Sequence, residues 1–181
     1  AASDVYKRQY SEEDQTNPIN EYGKSKLLGE QYITQLLEKY FIIRTSWLYS
    51  VNENNFLKTI VDKIKQGEKL QITTSQHGTP TSCKDLSSFI IHLIITRHNQ
   101  FGIYNFSAQG EATWHDFAIQ ISKHFPQYDS SLILAKEKHT SNVTRPTYSV
   151  LDNSKASKIF YLNNSWRESV DEVLNNLKAM H

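Results

Sequence analysis

Apolar positions along this chain recur at helical spacing in several stretches, separated by short runs without a polar break. Leu28, Tyr32, Ile33, Leu36, Leu37 and Tyr40 form the first helical pattern. Asn17-Pro18 supplies N-cap and first-turn chemistry upstream, so a helix is predicted from about Asn20 to Lys39. Phe41-Ile42-Ile43 follows with no polar interruption, the pattern of a strand buried on both faces in a parallel sheet. It leads into Arg44-Thr45-Ser46-Trp47. Phe56, Leu57, Ile60, Val61 and Ile64 then interleave with Lys58, Lys63 and Lys65 as an amphipathic helix that Gly67 is placed to end. Leu70 to Thr73 reads as a strand.

Ser82-Cys83-Lys84-Asp85 resembles a capping box, and Leu86, Phe89, Ile90, Leu93 and Ile94 follow on one helical stripe. Gly102 to Phe106 reads as a strand. Thr113 with Asp116 opens a further helix carrying Phe117, Ile119, Ile121 and Phe125, and Ser131 to Ala135 reads as another strand. Ser165 and Glu168 cap a last helix with Trp166, Val170, Val173, Leu174 and Leu177 on one stripe. Helices and strands alternate without a repeat period, which implies an α/β chain built on a largely parallel sheet.

Composition narrows the function. The 181 residues carry Lys+Arg 20 against Asp+Glu 19, so no net field recruits nucleic acid or anionic lipid. The single cysteine, Cys83, can close no internal disulfide and fits a reducing, cytoplasmic setting. Phe89 to Ile95 is interrupted by His92 and is far shorter than the ~20 apolar residues that span a bilayer. The opening AASDVYKRQ has no apolar core of a signal peptide and no periodicity, so residues 1–9 are expected to be a non-native tail. The histidines show no paired ligand spacing, and no catalytic metal is expected.

Tyr22 and Lys26 stand four apart on the first predicted helix, one turn apart on one face. Chance supplies about one Tyr-x-x-x-Lys in a chain of this composition, so the pair by itself describes a solvated helix face as well as a site. Its chemical reading is that an ammonium near a phenol favours the phenolate, equipping the tyrosine to give a proton to a carbonyl oxygen. Thr45 and Ser46, just past a strand end, lie where open α/β sheets place ligands, and would otherwise serve as strand-end caps. Trp47 reads as core or as a pocket wall. Arg145 is a candidate for a diphosphate or for bracing a turn.

Context weighs in favour of chemistry. The run from Tyr22 through Gly23-Lys24-Ser25-Lys26 to Gly29-Glu30, then Ile42 to Tyr49, Gly78-Thr79-Pro80-Thr81, Gly102 to Ser107, Trp114, Phe117, Thr144 to Asp152 and the closing Trp166 helix stand in order. From about Tyr10 to its end the chain resembles the extended short-chain dehydrogenase/reductase superfamily and, within it, the dTDP-4-dehydrorhamnose reductase family. The resemblance implies the C-terminal part of a Rossmann-like doubly wound parallel sheet plus a small substrate-binding α/β subdomain. Residues 10–50 would end the dinucleotide-binding core, and 51–181 would interleave its remaining elements with the substrate-binding subdomain. It further implies reduction of the C4 ketone of dTDP-4-dehydro-L-rhamnose by NADPH or NADH, in a cytoplasmic enzyme that allows a homodimer. Tyr22 would be the proton donor, Lys26 would hold the nicotinamide ribose, and Trp47, Thr45, Ser46 and Arg145 would face the substrate.

Departures from the family pattern define the expectation further. Gly23, Gly29, Gly67, Gly78, Gly102 and Gly110 never cluster as a pyrophosphate-holding turn requires, and the family's upstream catalytic Ser/Thr is missing. The chain is therefore expected to be an inactive fragment of such an enzyme. Alternatives are an epimerase or dehydratase of the same superfamily, or a non-catalytic regulatory binding subunit.

Overall fold

A computed structural model of the chain describes residues 9–52, 54–137, 144–161 and 164–179. The tail expected to be non-native lies outside these residues except for Gln9. In chain order the elements are α1 (Glu21–Leu36), β1 (Phe41–Arg44), β2 (Leu48–Tyr49), α2 (Phe56–Lys65), β3 (Leu70–Thr73), β4 (His77–Gly78), β5 (Thr81–Ser82), α3 (Cys83–Ile95), β6 (Gly102–Asn105), β7 (Ala112–Thr113), α4 (Trp114–Ser122), β8 (Ile133–Lys136), α5 (Ser154–Ser157) and α6 (Trp166–Ala179).

Local chemistry explains the boundaries. Helix α1 starts where predicted, but its N-cap is Asn20 rather than Asn17 and it ends at Leu36, short of Lys39: the Asn20 side chain accepts from the Gly23 amide at 2.8 Å, while Pro18 lies against the first turn, where a Cβ on Gly23 would stand 3.1 Å from the Pro18 Cβ. Helix α2 ends in a Schellman motif, with Gly67 at φ 69° and its two closing bonds running from Gly67 N to Ile64 O and from Glu68 N to Lys63 O. Helix α4 carries the reciprocal Thr113/Asp116 capping box, and Ser165 and Glu168 exchange the same two bonds at the start of α6. At α3 the Ser82 hydroxyl caps the Asp85 amide, but the Asp85 carboxylate turns to the Ser169 hydroxyl at 2.8 Å and so ties α3 to α6.

Hydrogen bonding divides the strands into four two-stranded pairs among the described residues. β1 pairs with β6, β2 with β5 and β3 with β8, all parallel, while β4 and β7 are antiparallel. The α/β class and the parallel pairing stand, with three of the four pairs parallel among the described residues. Of β1 only Ile42 is buried, so the strand is not covered on both faces as its apolar run predicts. Ser130 to Leu132 form a 3-10 turn, which shortens the strand predicted from Ser131 to start at Ile133.

Two apolar clusters hold the molecule. The larger joins α2, α4 and α6 through Leu57, Ile60, Phe117, Ile121, Trp166, Val170 and Leu174. The smaller joins α3 to β6 through Phe89, Leu93, Tyr104 and Phe106, with the Phe89 and Phe106 rings stacked at 4.6 Å. On the predicted α3 stripe only Phe89 and Leu93 are buried; Ile90 and Ile94 are exposed.

Candidate active site

Tyr22 and Lys26 fall on one face of α1, as their spacing predicts, with the Lys26 ammonium 5.3 Å from the centre of the Tyr22 ring. The phenol is open to solvent, 71% exposed. Thr45 follows β1 at its carboxyl end, beside Asn105, which ends β6 and pairs in register with Arg44. Thr45 Oγ1 and Asn105 Oδ1 are buried with no hydrogen-bond partner among the described residues. Ser46 is different: it is buried and its hydroxyl accepts from the Thr79 amide at 3.3 Å, the strand-end capping that its position also allows.

Trp47 adopts a left-handed backbone, φ 44°, which a bulky residue rarely takes. Its indole stacks on Trp114 with centroids 3.7 Å apart and planes 8° from parallel. Gly78 lies against the same indole, since a Cβ built there would stand 2.4 Å from Trp47 Cε2. Trp114 is in turn fixed by its Nε1, which donates to Gln76 Oε1 at 2.9 Å. Trp114 and Gln76 line a cleft of about 390 Å³ together with Phe56, Gln71, Ile72, Thr73 and Arg145. Trp47 is not itself among the lining residues; it meets the cleft through Trp114.

Arg145 is exposed at the rim of that cleft. The segment carrying it is strapped to β4, with His77 N donating to Thr147 O and Ser149 N donating to His77 O, both at 2.8 Å. Beside it the His77 Nδ1 and Glu111 Oε1 stand 2.6 Å apart, and the Tyr148 hydroxyl donates to Glu111 at 3.3 Å. Burial, with the Glu111 carboxylate as the next cause, pushes the Tyr148 phenol up. The strap also reaches α1: Asn20 Nδ2 donates to the Thr144 carbonyl at 2.9 Å. One hydrogen bond therefore links the N-cap of the Tyr22 helix to the residue before Arg145.

The donor set suits a nicotinamide dinucleotide at its ribose end. Lys26 and Tyr22 offer exposed donors on one face, and the orphaned Thr45 and Asn105 oxygens suit a polar group at the strand ends. A glycine-rich pyrophosphate turn is not part of the sequence. Among the described residues no group of three or more His, Cys, Asp and Glu is arranged to hold a metal ion, and no helix is long and apolar enough to cross a membrane. Gln76, the place of Phe56 on the cleft and the packing role of Gly78 are not legible in the sequence. They sit in connecting segments or on a helix whose apolar face reads simply as core, and the only hint is the glycine between His77 and Thr79.

Residues 4–179 match the RmlD substrate binding domain family. The spore coat polysaccharide biosynthesis protein SpsK of Bacillus subtilis is 33% identical over 165 residues, 91% of this chain and 57% of that protein. The dTDP-4-dehydrorhamnose reductase of Shigella flexneri is 33% identical over 176 residues, 92% of this chain and 59% of that protein. Among solved structures, the dTDP-4-dehydrorhamnose reductase from Bacillus anthracis in complex with NADP superposes with a TM-score of 0.85 at 33% identity, covering 93% of this chain and 59% of that one. The chain thus spans well under two thirds of the length of these relatives.

Proposed function

As the chain belongs to the RmlD substrate-binding domain family, we propose that the whole protein reduces the C4 ketone of dTDP-4-dehydro-L-rhamnose to dTDP-L-rhamnose with NADPH or NADH. The observation that carries the reading is the tether between Asn20 and Thr144. It joins the helix of a Tyr-Lys pair suited to proton donation to the segment of an arginine suited to a diphosphate.

In this reading residues 10–50 end the dinucleotide-binding core, and 51–181 interleave its remaining elements with the substrate-binding subdomain. The nicotinamide cofactor supplies the hydride when bound. Tyr22 donates its phenolic proton to the oxygen at C4, which becomes a hydroxyl, and the Lys26 ammonium stabilises the phenolate that remains. Lys26 also holds the ribose hydroxyls. The Arg145 guanidinium binds the substrate diphosphate by charge-assisted hydrogen bonds, and Phe56 and Trp114 offer apolar faces to the base. Trp47 braces that wall and turns its remaining surface to the deoxysugar. Thr45 is the strand-end hydroxyl left for a ligand, since Ser46 is committed to Thr79.

The test is direct. The whole protein is incubated with dTDP-4-dehydro-L-rhamnose and NADPH, nicotinamide absorbance is followed, and the product is identified. Cofactor oxidation with formation of dTDP-L-rhamnose supports the reading. A C4 epimer, an eliminated sugar, or binding without turnover contradicts it.

A further inference from the structure

Tyr22, Lys26 and Glu30 are spaced by four residues on α1 and share one stripe of the helix. Glu30 is not a solvated end to that stripe. Arg44, the last residue of β1, grips its carboxylate in a fork: Nε donates to Oε1 at 2.9 Å and Nη2 to Oε2 at 2.6 Å. The two side chains are only 21% and 20% exposed. The hydrogen bond to Glu30 is the chief cause that holds the Arg44 guanidinium still more firmly cationic than usual. Nearby, Glu12 accepts from the Asn105 amide at 2.7 Å, so this network sits at the carboxyl ends of both β1 and β6.

Two polar tethers hold α1 to the rest of the described residues, Asn20 to Thr144 at its N-terminus and Glu30 to Arg44 in its middle. A helix rises ~1.5 Å and turns ~100° per residue, so Tyr22 lies roughly 12 Å along the axis from Glu30. A small roll or tilt at Glu30 is carried to the phenol. A bidentate Arg-carboxylate pair restrains direction as well as distance, which a single point-charge contact does not.

We infer that Glu30 and Arg44 are a positioning pair: their ion pair sets the roll of α1 and thereby aims Tyr22 and Lys26 at the crevice beyond the end of β1. The inference rests on the proposed role of Tyr22 as proton donor, and neither Glu30 nor Arg44 touches the reacting atoms in it.

The experiment uses the whole protein with NADPH and dTDP-4-dehydro-L-rhamnose, comparing Glu30→Gln and Arg44→Lys in the wild-type and in the Tyr22→Phe background. In the wild-type background each substitution lowers kcat by about ten- to a hundredfold, the scale of a misplacement near 1 Å, with the KM for the sugar nucleotide little changed. With Tyr22 replaced, each has little further effect on kcat, because the proton donor is gone, while the misplacement of Lys26 still shows as a raised KM for NADPH. Arg44→Lys keeps the charge but loses the fork, so it behaves like Glu30→Gln rather than like wild type. Unchanged kcat in the single variants, or equal fold losses in both backgrounds as a general loosening would give, overturns the inference while leaving the reading of function in place. A wild-type protein that converts no sugar nucleotide overturns that reading, and the inference with it.

Discussion

Gly78 shows how tightly one residue constrains the wall of the cleft. The space a Cβ would need is filled by the Trp47 indole, which cannot retreat because Trp114 stacks on its face at 3.7 Å. Gly78→Ala should therefore destabilise the fold by about 1–3 kcal/mol, the usual size of an overpacked contact, and disturb indole fluorescence. Equal thermal melts and unchanged fluorescence would contradict that packing. Trp47 itself carries an unfavourable φ, a form of strain that persists only where surrounding contacts hold it. At this scale the sequence is uneven. Tyr22 and Lys26 are legible as a pair because helical spacing alone brings them together, whereas the stack of Trp47 on Trp114 joins residues far apart in the chain and has no local signature.

Capping chemistry governs the elements, and it leaves a pH signature. Desolvation works to raise the Asp116 carboxyl, but the hydrogen bonds from the Thr113 hydroxyl and amide outweigh it and hold the group below its ordinary 3.8. Backbone and side-chain hydrogen bonds from Ser165 likewise hold Glu168 below its ordinary 4.5. A carboxyl lowered in the folded state adds stability above its unfolded pKa, and that stability is lost as pH falls through the folded value. The gap in melting temperature between wild type and Asp116→Asn should thus be full at neutral pH and shrink below about pH 4. A gap that stays constant into acid would refute the capping role. The two boxes were legible because Thr113-x-x-Asp116 and Ser165-x-x-Glu168 are local. The N-cap of α1 was not, because two asparagines compete: Asn17 stands before a proline suited to a first turn, yet Asn20 is the one whose side chain meets Gly23 N. The burial of β1 is not legible for a non-local reason, since the apolar run at Phe41 reports what a strand can bury and not what covers it.

Across the whole molecule, apolar surface is concentrated on two helices. On α1 and just after it, Tyr32, Leu36 and Leu37 are exposed, and on α3 Ile91, Ile94 and Ile95, with Leu36 at 78% and Ile95 at 75%. Contiguous apolar faces of this kind favour association, so the chain by itself should self-associate; a monodisperse monomer in sedimentation would count against this. The α/β class was readable from the alternation of periods, and the order of motifs from Tyr22 to Trp166 pointed to the family. The division of the strands into separate pairs was not readable, because pairing partners such as Leu70 and Ile133 are distant in sequence. The central claim is that Tyr22 gives the proton. Its most direct test is kcat of the whole protein carrying Tyr22→Phe, which keeps the ring and removes the hydroxyl. The account predicts a fall of about 10²–10⁴ with the KM for the sugar nucleotide little altered; a near-normal kcat would contradict it.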